Sequence, residues 1–289
     1  MKHAIAIIMG VILCLMFAIA EGTAKQNASA SEVQKLSDGI DPQEQAIVAI
    51  EKLGGEVERD TKSPGRPVNI IELNSDQFTD VGITYFHAIP QLKELYLGDT
   101  QISDAGLEQL KGLPNLQYLG LCRTKVTDEG LKHLQGLPQL KELNLSRTMI
   151  GNAGLKYLKK LTQLQLLDLG RTAVNDEGLA NLEGLTNLLS LRLSWDDITD
   201  EGLIHLQGLT NLRLLDLRFT DVSDEGLENL KKLTKLEDLH LGHTSVTDDG
   251  LVHLKMLPHL QILHLQGNNI SDDAIEDLRK ALPNIEVRR

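Results

Sequence analysis

The stretch Leu92-Lys93-Glu94-Leu95-Tyr96-Leu97 returns after 24 residues as Leu116, Leu119 and Leu121, and again as Leu140, Leu143 and Leu145. The triplet continues at Leu164, Leu167 and Leu169, at Leu188, Leu191 and Leu193, and at Leu212, Leu215 and Leu217. Leu236, Leu239 and Leu241 follow, then Leu260, Leu263 and Leu265, while Val68, Ile71 and Leu73 form a divergent first copy. Nine units therefore run over residues 68–284, with no insertion until one extra residue near Leu282.

Each unit carries two local patterns. Leu-x-Leu alternates at period two, as a short strand with one buried face does. A second segment follows, as in Ile198-Thr199-Asp200-Glu201-Gly202-Leu203 with Leu206 and Leu209 beyond it. Leucines three apart mark one face of a short helix, for which Thr127-Asp128 or Asp200 supplies an N-cap hydroxyl or carboxylate. Gly112, Gly136, Gly184 and Gly208 stand where that helix should end, and Pro114 and Pro138 prevent its continuation. One strand and one helix cannot bury their leucines alone; stacked copies make a parallel sheet on one side and a row of helices on the other. The expected architecture is a right-handed α/β solenoid of nine coils with its sheet on the concave face.

These residues resemble a leucine-rich repeat protein, and the unit is similar to the repeats of F-box/LRR and ribonuclease-inhibitor-like proteins, above all in Ile198 to Leu203. In that family the ninth position is often Asn or Cys, bonding backbone between coils. Here it is Thr100, Thr124, Thr148, Thr172, Thr220 and Thr244, with Asn268 closing the array and Asp76 and Asp196 departing. The resemblance implies that the threonines make part of the same ladder. No F-box precedes the repeats, so the intracellular ligase-adaptor role does not carry over.

Composition agrees with a thin, repetitive core. The hydrophobic share is 41% over 289 residues, yet only nine residues are aromatic, so leucine must fill the interior. That much leucine excludes wholesale disorder, and the 24-residue period excludes collagen and coiled coil. Lys+Arg 29 against Asp+Glu 41 gives a net charge of −12, which repels polyanions and argues against a nucleic-acid partner.

The chain begins with Met1-Lys2-His3, an apolar run from Ala4 to Ala20, and a small-x-small pattern at Ala18-Ile19-Ala20. Residues 1–20 read as an export signal, with an uncleaved anchor as the alternative; Leu13 before Cys14 argues against a lipoprotein. Residues 21–40 read as a flexible linker without apolar period. After cleavage Cys122 stands alone, so no internal disulfide is expected. Asp41-Pro42-Gln43-Glu44 opens a helix with a cap, an N1 proline and a box-type Glu, and Gly54-Gly55 closes it. Residues 41–67 read as an amino-terminal helix/strand cap, and residues 285–289 as a carboxy-terminal cap strand. The expected place of action is the medium, the periplasm or the cell envelope, and the expected state is a monomer without a membrane span once the signal is cleaved.

Three groups of residues are candidates for a site. The recurring Asp80, Asp104, Asp128, Asp176, Asp200, Asp224, Asp248 and Asp272, with Asn152 as the exception, read as helix caps, although adjacent carboxylates also suit calcium. Asp216, His240 and His264 share one outward strand position on successive coils, a candidate metal set with His243 nearby. The eighth position runs Asp99, Arg123, Arg147, Arg171, Trp195, Phe219 and His243, a basic-to-aromatic stripe. With Tyr96, Tyr118 and Arg192 on the neighbouring strands it makes the candidate protein-binding surface, because Arg, Trp and Tyr dominate binding hot spots. The alternative is that the arginines balance neighbouring acids and the rings cover loop backbone. No Gly-x-Ser-x-Gly, phosphate loop or His-Glu-x-x-His occurs, so the chain reads as a non-enzymatic interaction scaffold without a cofactor. The competing reading is an envelope protein that binds a small ligand, a glycan or a metal through its carboxy-terminal histidines.

Overall fold

The computed structural model describes residues 41–289. The export signal and linker expected over residues 1–40 lie outside the described residues. Eleven strands make one sheet in sequence order: β1 (Glu56–Arg59), β2 (Val68–Glu72), β3 (Glu94–Tyr96), β4 (Tyr118–Gly120), β5 (Glu142–Asn144) and β6 (Leu166–Asp168), followed by β7 (Ser190–Arg192), β8 (Leu214–Asp216), β9 (Asp238–His240), β10 (Ile262–His264) and β11 (Glu286–Arg288). Strand β1 is antiparallel to β2 and every later neighbour is parallel. Leu95, Leu119, Leu143, Leu167, Leu191, Leu215, Leu239 and Leu263 align in register, so the middle residue of each strand meets its equivalent.

The leucine triplets and the helix leucines form one continuous buried core, with most of these side chains fully inaccessible. The fold is a right-handed leucine-rich repeat solenoid, with the sheet on its concave side. Between most strands the chain makes a short α-turn, such as Asp176–Leu179 or Asp200–Leu203, a 3-10 segment such as Ile204–Leu206, or both. Leucines exactly three apart suit three residues per turn better than 3.6, and the 24-residue coil leaves no room for a longer helix. The glycines at 112, 136, 184 and 208 keep negative φ, so none of them ends its helix by the left-handed route.

At the amino-terminal end, helix Pro42–Lys52 is capped by Asp41, whose carboxylate accepts from Gln43 N–H at 3.2 Å. Gly54, at φ 84°, closes it in a Schellman arrangement, with Gly54 N–H donating to Glu51 O and Gly55 N–H to Ile50 O. Glu44 does not reach back to complete a capping box. It accepts instead from Arg59 Nη2 at 2.7 Å and ties the helix to β1.

The aspartate series does something other than the capping expected of it. The N-caps are the residues before, with Ser103, Asn175 and Thr199 each accepting a first-turn N–H. The aspartates from Asp80 to Asp248 reach across to the next coil: Asp176 accepts from Thr199 N–H at 2.9 Å and from its hydroxyl at 2.6 Å, and Asp104, Asp200 and Asp224 repeat this on Thr127, Ser223 and Thr247. The carboxylates are thus occupied by protein donors, which leaves the calcium reading without support. The threonines also differ from the family expectation. The Thr100, Thr124, Thr148 and Thr220 hydroxyls donate to the carbonyl three residues back, closing their own turn. Asn268 does bond across coils, from Nδ2 to Thr244 Oγ1 and Val246 O.

Candidate functional site

Because the strands from β3 to β10 each turn their middle leucine into the core, the first and third residues line the opposite face in two parallel columns. Tyr96, Asp168, Arg192, Asp216, His240 and His264 share one column; Glu94, Tyr118, Glu142 and Asp238 stand in the other. Tyr118 crosses between them: its ring lies over Gly120, where a side chain would crowd it, and stacks on Tyr96 at 4.3 Å. Burial, and for Tyr96 a hydrogen bond to Glu94, push both phenols up, that of Tyr118 to about 12.

Just past each strand the chain must leave the sheet while its N–H continues the ladder to the next coil. The eighth-position N–H groups of Asp99, Arg123, Arg147, Arg171, Trp195, Phe219 and His243 donate to the seventh-position carbonyls of the following coil, at 2.7–3.1 Å. The turn that permits this is left-handed. All seven residues have φ between 54° and 66°, and Gly267 takes the same place in the last coil at 76°. A left-handed conformation costs a non-glycine residue about 1–2 kcal/mol. The sequence reading singled these side chains out without seeing that cost; Gly267 at the equivalent position was the available signal.

Side-chain contacts join the column at both ends. Arg123 pairs with Asp99 at 3.1 Å, an exposed ion pair of little energetic weight. Arg171 lies over the Trp195 ring at 4.2 Å, Trp195 stacks on Phe219 at 3.8 Å, and Phe219 stacks on His243 at 4.2 Å. Trp195 remains 48% exposed despite these contacts. Among the described residues Arg147 makes no ion pair. Beside the column a shallow cleft of about 280 Å³ is lined by Arg147, Arg171, Arg192, Trp195, Arg218 and Phe219, with Asp168 and Asp216 at its floor. Arg192 approaches Asp168 at 3.9 Å, and burial raises the Asp168 carboxyl above its ordinary value. Asp196, under Trp195, replaces the usual threonine and is 4% exposed. Its Oδ1 accepts from Thr172 N–H at 2.6 Å and from the Thr172 hydroxyl at 3.1 Å, while Oδ2 is buried without a partner. Burial pushes its carboxyl up to about 7, against the opposing Thr172 bonds.

The candidate metal set is rearranged. Asp216 is held by Arg218 through two bonds of 2.9 and 2.6 Å. The third member of the histidine cluster is Asp238, whose Oδ1 lies 3.0 Å from His240 Nε2 and 3.6 Å from His264 Nε2. Sequence reasoning compared equivalent positions on successive coils and so passed over Asp238, two residues before His240 on the same strand face. His243 belongs to the aromatic stack, pointing elsewhere. Burial, then the neighbouring His240, lower the His264 imidazole below its ordinary value. Cys122 is half-buried beside Gly98, and burial raises its thiol, which suits packing better than nucleophilic work.

An extended sheet face edged by presented side chains, on coils held together by ladders of hydrogen bonds, defines a repeat scaffold. The leucine-rich repeat region family matches residues 74–273, and the chain belongs to the leucine-rich repeat family. An internalin (inlF) from Listeria monocytogenes shares the fold at 21% identity and a TM-score of 0.52, over 71% of this chain and 69% of the other. Internalin C2 from the same organism aligns at 26% identity and a TM-score of 0.44, over 76% of this chain and 80% of its own. No curated protein matches the chain. No helix among the described residues is long and apolar enough to cross a membrane.

Proposed function

We propose that the chain is a monomeric protein-interaction scaffold whose partner docks along the edge built by Arg123, Arg147, Arg171, Trp195 and Phe219, with Tyr96, Tyr118 and Arg192 flanking it on the sheet. One observation carries this reading: seven successive coils place a non-glycine residue, most of them large, at a left-handed position where glycine costs least. Packing does not require those side chains, since six of the seven are exposed, Trp195 by 48%, and only Phe219 is of intermediate burial. Arg171, laid over the stacked Trp195 and without an ion pair among the described residues, has the character of a binding hot spot. Four arginines around the cleft favour an acidic or mixed segment of the partner, and the net charge of −12 keeps polyanions at large from competing.

The amino-terminal run from Ala4 to Ala20 supports export, so the partner belongs to the medium, the periplasm or the cell envelope. The test is capture of partners from an envelope extract by the purified chain, with R147E/W195A as the comparison. The variant should keep its far-ultraviolet dichroism and lose the captured partner. Full retention by the folded variant would overturn the reading and move attention to the helix-bearing face.

A further inference from the structure

We infer that Asp238, His240 and His264 form a binding site for a borderline divalent transition metal, zinc foremost, at the carboxy-terminal end of the sheet's outward face. The inference does not rest on the arginine–aromatic edge, whose residues take no part in the site.

The register of the sheet builds it. His240 and His264 are paired positions on β9 and β10, with their rings 4.0 Å apart and tilted by 41°. That tilt turns both Nε2 atoms toward Asp238, which the period of two puts on the same face of β9. Two imidazole nitrogens and one carboxylate oxygen lie within 4.8 Å of one another. The two separations from Asp238 Oδ1, 3.0 and 3.6 Å, bracket the roughly 3.3 Å edge of a tetrahedron with zinc bonds of about 2.0–2.1 Å. Small side-chain rotations would therefore seat an ion.

Satisfaction of polar atoms points the same way. Asp238 Oδ1 and both ring nitrogens of His240 are buried without a hydrogen bond. The 3.0 Å approach of His240 Nε2 to Asp238 Oδ1 is therefore a contact without hydrogen-bond alignment. A buried polar atom left unpaired has lost its hydrogen bonds to water without replacement, and this cluster holds three. One ion at the centre would satisfy two of them. The third, His240 Nδ1, faces the Asp216 carboxylate at 3.9 Å, where histidine ligands commonly have an orienting acid.

The surrounding charges do not oppose a cation. Arg218 is engaged by Asp216, and Arg288 is engaged by Glu286 at 2.7 Å. Nitrogen ligands disfavour calcium and magnesium, and three protein ligands leave a fourth position open. The cluster's side chains, 14–25% exposed, leave that position a route to solvent.

The test is titration of the metal-stripped chain with zinc by calorimetry and with cobalt by visible spectroscopy. One equivalent of zinc should bind, and cobalt should show the intense absorption of a tetrahedral site. H240A and H264A should each lose uptake while H243A, altered in the aromatic stack, retains it. D216N, acting through His240, should weaken affinity by about 10-fold or more. Absence of uptake by the folded chain, or uptake that persists in H240A/H264A, would overturn the assignment. Should a variant fail to fold, an octahedral cobalt spectrum in the unaltered chain would overturn it equally.

Discussion

The Asp200 carboxylate grips Ser223 of the next coil at two points, accepting its N–H at 2.8 Å and its hydroxyl at 2.6 Å. Gly226 stands against that carboxylate, and a Cβ there would overlap Asp200 Oδ1. The repeated Asp-x-Gly is thus a contact between coils: the Asp of one and the Gly of the next occupy the same space. D200A should cost about 1–3 kcal/mol by orphaning a part-buried N–H, and G226A should cost a similar amount by displacing the acid. Because both break one contact, the double variant should lose much less than the sum in chemical unfolding. Additive losses would separate the two roles.

The left-handed column gives a test with an unusual sign. Arg147 sits at φ 57° without an ion pair among the described residues, so R147G should raise the unfolding midpoint relative to R147A, by about 1 kcal/mol in stability. Both variants should weaken partner capture alike, since both remove the guanidinium. A glycine variant no more stable than the alanine variant would show that the turn carries no strain.

Asp196 links stability to pH. Its carboxyl is raised from 3.8 to about 7 in the fold, so between those values the folded chain holds a proton that the unfolded chain has released. Stability contributed by this group is therefore present below about pH 4 and lost as pH rises toward 7, with no further change above. D196N keeps an oxygen for Thr172 and cannot ionise. Melting temperatures followed from pH 5 to pH 8 should show a decline in the parent that is smaller in D196N, leaving the variant the more stable at pH 8. Parallel curves would contradict this account.

Leu167 is fully buried in the middle of the sheet, between Leu143 and Leu191. L167D places a charge in a core shared by its neighbours, and nearest-neighbour coupling should unfold several coils together. The helical and strand signal should fall markedly at room temperature. An unchanged melting transition would show that the coils are less coupled than one continuous core requires.

The architecture was legible because it depends on a pattern that neighbours reinforce. Leu95, Leu119, Leu143 and their equivalents sit one period apart, and only side-by-side stacking buries all of them. The stripe from Arg123 to Phe219 could be read for the same reason, since equal spacing places equal positions on one edge. What the sequence could not disclose were relations between unlike positions on neighbouring coils. Asp200 looks like a helix cap when read along the chain, yet its bonds run to Ser223. Asp238 joins His240 and His264 only because two rings tilt across a parallel register, while Asp216, spaced more regularly, is taken by Arg218. The left-handed turn at Arg147 leaves no mark in hydrophobic periodicity at all. Periodicity reports which residues must be buried together; hydrogen bonds, ring stacking and backbone sign depend on angstrom-scale approach between coils, which only the packed structure sets.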